Sequence, residues 1–200
     1  LRARHGDEVI ALRRREIARA AGIRSLRADL ATGAGLENLP RQAQAIVFCA
    51  APDERSEPAY RALYLDGLRR LLDACDAPRL LFVSSTAVYG EDAGEWVDEA
   101  TPARPPAFNG RVLLEAEHEL APHAGGVVLR LSGLYGPGRE AMLRRARSND
   151  AGRPRWSNRI HVDDAASALA HLLDLPEPGR LYLGTDDRPV LEHELIAWLR

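Results

Sequence analysis

The sequence predicts a doubly wound α/β fold, a parallel sheet with helices packed on both faces. Two observations predict it. Apolar runs of strand length recur along the chain with helical patterns between them. The middle runs are continuously apolar instead of alternating, which is the pattern of parallel strands buried on both sides.

The elements follow in order. The chain opens "LRARHGDEVIALRRRE", an arginine-rich helical tail that meets His5-Gly6-Asp7 and then a strand pattern from Val9 to Leu12. A helical pattern covers Arg15 to Ala21, and a weaker strand covers Ile23 to Arg27. Strands are then expected at Ala45 to Ala50, Leu80 to Ser84, Val127 to Leu131 and Leu181 to Gly184. Apolar residues at three- and four-residue spacing predict helices over Ser56 to Ala74, Asn109 to Ala121 and Asp163 to Leu175, with Asp163 as an N-cap. "TPARPP", Thr101 to Pro106, reads as a proline-rich loop. The final "LEHELIAWLR" is an amphipathic helix with Leu191, Leu195, Ile196 and Leu199 on one face. Opening part-way through a helix and closing without a cap, the pattern reads as one domain over residues 1–200 that is a fragment at both ends.

Composition narrows the function classes. At 200 residues, 46% hydrophobic and 28% charged, the chain suits one domain with a substantial core. A net charge of -2 leaves no electrostatic footprint for nucleic acid, and two cysteines, Cys49 and Cys75, give no disulfide framework. A reducing, cytoplasmic setting is expected. No apolar run approaches the roughly 18 residues a membrane span needs, so no membrane partner is expected. All 27 residues counted as Lys+Arg are arginine. Mechanisms that need a lysine to lower a neighbour's pKa or form a Schiff base therefore cannot operate within this chain.

In doubly wound sheets ligands bind beyond the carboxyl ends of the strands. That selects Arg13 to Arg15, Asp29, Ala50 to Pro52, Ser84 to Thr86 and the loop Ser132 to Arg139.

Three segments occur in a recognisable order: "FVSSTAVYG" after a central strand, "LRLSGLYGPGR" after a later one, and "RIHVDDAASAL" opening a helix. Together they resemble the extended short-chain dehydrogenase/reductase superfamily, the nucleotide-sugar epimerase and dehydratase type, from about Asp7 onward. "GRVLLEAE", Gly110 to Glu117, is similar to its atypical bacterial branch. The resemblance implies a Rossmann-like sheet with a small substrate-side portion near the C-terminus, an NADP or NAD cofactor, and a small-molecule substrate such as a sugar nucleotide. A homodimer is compatible with it.

The family's glycine-rich phosphate loop is expected ahead of Leu1. "TGAGLEN" has Gly33 and Gly35, but Asn38 stands where a third glycine would be needed, and the segment follows the second strand, so it reads as a loop. Arg13 and Arg14, at the end of a strand that selects the cofactor, match a clamp on the 2′-phosphate of NADP; the alternative is a solvated basic turn. Asp29 in "RADL" matches a carboxylate that accepts from the adenine amino group, or else a turn-forming aspartate. Ala50 and Ala51 match a small pair past which the cofactor lies, and Arg130 with Gly136 to Arg139 would line the cofactor or substrate loop.

Family members that work in the standard way pair a catalytic tyrosine with a lysine four residues on. Here Asn109 and Leu113 occupy those places, or Ala107 and Arg111 if the register slides by two. Neither register restores the dyad. The hydroxyl that hydrogen-bonds the reacting oxygen falls on Ser85, with Thr86 beside it, making these the candidate catalytic residues; local strand termination is the alternative. Tyr89 and His161 remain as proton-transfer candidates, although both match structural positions of the family pattern. His118 and His123 read as exposed helix residues. A Ser-His-Asp hydrolase lacks its G-x-S-x-G elbow, since Val83 precedes Ser84. No Cys/His spacing suits a metal. The expected function is an NAD(P)-dependent oxidoreductase or epimerase-like enzyme, the alternative a non-catalytic NAD(P)-binding sensor or interaction module.

Overall fold

A computed structural model describes residues 8–15, 23–148 and 150–200. Apart from Arg15, the helix expected over Arg15 to Ala21 lies outside the described residues, as do His5 to Asp7.

Strands β1 (Val9–Arg13) and β2 (Ile23–Arg27) pair in parallel, with Arg13 opposite Arg27. A second, four-stranded parallel sheet has the order β3 (Ile46–Phe48), β4 (Leu80–Ser85), β5 (Gly126–Leu131) and β9 (Leu181–Gly184). Between β3 and β4 run α1 (Glu57–Arg61), one turn of π-helix (Ala62–Asp66) and α2 (Gly67–Ala74); α3 (Phe108–Leu120) connects β4 to β5. After β5 come β6 (Gly133–Tyr135), α4 (Ala141–Arg147), β7 (Trp156–Ser157), β8 (Arg159–His161) and α5 (Val162–Asp174). The described chain closes with β10 (Val190–Leu191) and α6 (Glu192–Leu199). β6 pairs with β8 in parallel and β7 with β10 antiparallel.

The central strand explains the layering. Along β4, alternate side chains point to opposite faces. Leu80 and Phe82 enter a core with Phe48, Tyr64, Leu68 and Val112, while Leu81 joins Val127, Leu129, Ile160, Ala165 and Leu172 on the other side. Phe82 packs on Phe48 with ring centroids 5.4 Å apart. Burying side chains of this size contributes about 1.5–3 kcal/mol each. The doubly wound α/β architecture is thus observed, with helices on both faces of a parallel sheet.

Several boundaries differ from expectation. β3 is shorter than Ala45 to Ala50, because Phe48 opposite Phe82 is its last laddered residue and the chain then turns away. The helix expected over Ser56 to Ala74 starts after Ser56, whose Oγ accepts the Ala59 N–H at 3.4 Å, and the π turn interrupts it. Asp163 is not the N-cap of α5. His161 is, its Nδ1 accepting the Asp163 N–H at 3.2 Å, which leaves Asp163 in the first turn where its charge favours the helix dipole. His123 lies past the end of α3 with a buried Nδ1, while His118 is exposed on α3 as expected. The short strands β6, β7, β8 and β10 carry too few residues to show a period in sequence.

Candidate active site at the carboxyl edge of the sheet

The ends of three parallel strands align in one row: Ser85 is opposite Leu131, and Leu131 is opposite Gly184. Ser85 is thereby delivered to the edge where ligands bind in such sheets. It is half-buried, and its Oγ accepts the Ala87 N–H at 3.1 Å, so the hydroxyl also shapes the 3-10 turn Thr86–Val88. The N-terminus of α3 packs directly on that turn. A Cβ built at Gly110 would stand 2.1 Å from the Ala87 carbonyl oxygen, a clearance that only glycine permits. Asn109 and Leu113 are therefore carried beside the Ser85–Thr86 turn; Leu113 is core, and Asn109 keeps a buried Oδ1 with no hydrogen-bond partner.

Beneath the turn lies a charged network that fixes it. Ser84 donates to Glu117 Oε1 at 2.5 Å, and Arg130 donates from Nε and Nη2 to the same carboxylate at 3.1 and 2.6 Å. Arg130 Nη1 donates to the Tyr89 hydroxyl at 2.7 Å, and that hydroxyl donates to the Asp98 carbonyl at 3.1 Å. Arg130 is thus 5% exposed, with its donors engaged by protein groups. Tyr89 is likewise buried in this scaffold. Of the other tyrosines, Tyr64 is sealed in the core, where burial pushes its hydroxyl up to about 12.

On the neighbouring side, Arg14 just past β1 makes a bidentate pair with Asp53, which follows the Ala50–Ala51 segment after β3. Both partners are more than half exposed. Hydrogen bonding to Arg14 holds the Asp53 carboxyl below the usual carboxylate range. Arg13 is exposed and offers its carbonyl to the Ala28 N–H at 2.9 Å, which ties β1 to the segment carrying Asp29. Asp29 forms a turn, its Oδ1 accepting the Ala31 N–H at 2.9 Å. The structure brings Arg14 together with the Ala50–Ala51 loop, and it places Arg130 in the network under β4.

On the far side of Ser85, the loop after β6 runs over His161. A Cβ at Gly136, whose φ is 121°, would meet His161 Nε2 at 2.7 Å. Tyr135 stacks edge-on to the same ring, 5.2 Å between centroids. His161 thus combines a capping role at Nδ1 with a position at the ligand edge.

This arrangement of strand ends, turn and crossover helix accompanies a match, over residues 1–183, to the model of the NAD dependent epimerase/dehydratase family. The chain belongs to that family. Its solved relatives have the same fold. A structure described as a candidate NAD-dependent epimerase/dehydratase from Methylobacillus flagellatus is 38% identical, with a TM-score of 0.82 over 98% of this chain and 73% of that one. The UDP-glucose 4-epimerase of Thermus thermophilus, solved with NAD, shares the fold at 22% identity and a TM-score of 0.80, covering 99% of this chain and 76% of its own. MoeE5, solved with UDP-glucuronic acid and NAD, does so at 24% identity and 0.83, over 99% and 75%. Protein YeeZ of Escherichia coli K12 is 38% identical over 137 residues, 66% of this chain and 49% of its own. The chain spans about half the length of the curated relatives it matches. Among the described residues, no helix is long and apolar enough to cross a membrane.

Sequence reasoning passed over Glu117, Asp53, Arg145, Arg159 and Glu192. Glu117 carried a usable signal, an acid sharing a helix face with Leu113 and Leu120 at four- and three-residue spacing, which must be buried and therefore paired. Asp53 and Glu192 carry no such pattern, since the arginines they pair with lie 37 or more residues away, while Arg145 reaches Asp150 five residues on, past the end of α4.

Proposed function

We propose that the protein is an NAD(P)-dependent oxidoreductase or nucleotide-sugar epimerase/dehydratase-like enzyme with a non-standard active site, working in the cytoplasm as a homodimer. The observation that carries this reading is the position of Ser85 and Thr86, at the carboxyl end of the central strand of a chain in this family. NAD(P) supplies the hydride acceptor or donor when bound. Arg13, Arg14, Asp29, Ala50 and Ala51 hold the cofactor, with Arg130 supporting it from beneath the β4 turn. The residues present fit a dinucleotide with a 2′-phosphate: Arg14 sits at a strand end, exposed, with a still more exposed carboxylate that a phosphate can displace. Ser85 donates a hydrogen bond to the substrate oxygen and Thr86 orients it.

A second reading, a non-catalytic NAD(P)-binding sensor, is favoured by one observation. The positions of the usual tyrosine and lysine hold Asn109 and Leu113, of which Leu113 is core, or Ala107 and Arg111 in the register shifted by two, so the dyad is absent in both. The test titrates NADH and NADPH by fluorescence into the chain extended at its N-terminus with the family's glycine-rich segment. Binding of neither sinks both readings. With binding in hand, hydride transfer across sugar nucleotides and small carbonyls, lost in Ser85→Ala, supports the enzyme; binding without turnover supports the sensor.

A further inference from the structure

The connection from β4 to α3 does not run directly from strand to helix. It leaves the Thr86–Val88 turn through Tyr89, whose hydroxyl donates to the Asp98 carbonyl at 3.1 Å. One residue further on, the Glu99 carboxylate accepts the Leu183 N–H of β9 at 2.9 Å. β5 lies between β4 and β9 in the sheet, and β9 is its edge strand. The connection therefore spans the carboxyl edge from β4, past β5, to β9, along the row that holds Ser85, Leu131 and Gly184.

Between these two fastenings residues 90–96 are all exposed. Tyr89 and Asp98 hold the ends of the loop together, the arrangement of a compact Ω-type surface loop. Among the described residues its hydrogen bonds are internal, from the Gly90 N–H to Glu91 Oε2 at 3.0 Å and from the Ala93 N–H to Glu95 Oε2 at 2.9 Å. Glu91, Asp92 and Glu95 favour water, so the loop does not settle into the core.

Its tip meets an indole. Gly94, with φ of 102°, lies so close to Trp156 that a Cβ there would stand 2.8 Å from Cδ1 and 2.9 Å from Nε1. Trp156 belongs to the part of the molecule built after β5: it is opposite Leu191 in the β7–β10 pair, and three residues later Arg159 is opposite Gly133, two residues past Leu131. The loop thus starts beside Ser85 and touches down across the ligand edge. Trp96, two residues on, adds little packing, being 86% exposed. A segment with so few buried contacts opens far more readily than the strands beneath it.

We propose that residues 90–96 form a strap that closes the carboxyl edge over the Ser85–Thr86 turn, with the contact of Gly94 on Trp156 as its latch. Released, the strap swings about its Tyr89–Asp98 base and admits ligand; latched, it shields the turn from water. The proposal rests on the reading of that edge as the ligand site.

The test measures access without needing a ligand. Ser85→Cys places a thiol under the strap, and its rate of labelling by a bulky maleimide is followed by peptide mass spectrometry, with the exposed native Cys49 as internal reference. Adding Trp156→Ala is expected to speed labelling at position 85 by about tenfold or more through a larger open fraction, leaving Cys49 unchanged. Gly94→Ala, which forces a Cβ against the indole without touching the β7–β10 pair, is expected to do the same and covers a failure of Trp156→Ala to fold. Trp156→Phe keeps a flat ring under Gly94 and should keep the slow rate. An unchanged rate at position 85 in both releasing variants overturns the strap, as does equal acceleration of Cys49, which marks general loosening. Loss of NADH and NADPH binding in the titrations above would sink the functional reading alone, since the labelling rates do not depend on it.

Discussion

Glu117 on α3 and Arg130 on β5 meet across the helix–sheet interface as a buried two-pronged ion pair, with side chains 7% and 6% exposed. Ser84 and Tyr89, which flank the Ser85–Thr86 turn on either side, both hydrogen-bond to this pair. The turn that presents the candidate catalytic hydroxyls is thus anchored on a charge pair it does not expose.

Breaking the pair from one side leaves an uncompensated buried charge. Glu117→Leu or Arg130→Leu is expected to lower unfolding stability by roughly 3–5 kcal/mol, while the double substitution recovers much of that loss. Urea denaturation of the three variants checks it. A double variant no more stable than the singles would mean that the turn itself depends on the charges.

The carboxylate of Glu192 gives an acid-sensitivity prediction. Hydrogen bonds from Arg145, opposed by burial and aided by Arg155, depress it from 4.5 to about 2. A depressed folded-state pKa contributes stability that is fully present above the unfolded value and is lost as pH falls toward the folded one. Between about pH 4.5 and 2 the wild type should therefore lose on the order of 2–3 kcal/mol from this group, a loss absent in Glu192→Gln. Stability measured against pH in that window, by denaturant melts of both proteins, decides it.

On the proposed reading, a 2′-phosphate held by Arg14 has to displace Asp53, which pairs with that guanidinium. Asp53→Ala is expected to tighten NADPH several-fold and leave NADH unchanged, whereas Arg13→Ala combined with Arg14→Ala removes an NADPH preference of about tenfold, or 1.4 kcal/mol. Fluorescence titrations of the two nucleotides settle the matter, and indifference of NADPH affinity to all three changes would reject the clamp.

Gly110 has no room for a side chain. Gly110→Ala drives a Cβ toward the Ala87 carbonyl at 2.1 Å and the Pro105 side chain at 2.7 Å. The helix or the turn must shift, at a cost of about 1–3 kcal/mol. Thermal melts should show the loss, and amide exchange should localise it to the Thr86–Val88 turn.

The strands of the four-stranded sheet were legible because parallel strands covered on both faces read as apolar runs, as "LLFV" does from Leu80 to Val83. The position of Ser85 followed from the same logic, since the hydroxyls begin where the apolar run stops. What sequence could not supply was pairing. Arg14 and Asp53 are 39 residues apart, and Arg145 and Glu192 are 47 apart, so nothing local marks either as a partner. The cap of α5 was misread for a physical reason: an imidazole nitrogen can accept an amide hydrogen as a carboxylate does, and "HVDD" offers both kinds of acceptor within four residues.

At the opposite end of the crossover helix, the Arg180 guanidinium donates to the carbonyls of Ala121, His123, Ala124 and Gly126, collecting the chain ends that leave α3 and enter β5. With Gly110 wedged against Ala87 at one end, Glu117 bolted to the sheet in the middle and Arg180 gripping the other end, α3 has no direction in which to slide. The half of the protein that presents Ser85 therefore behaves as an anvil.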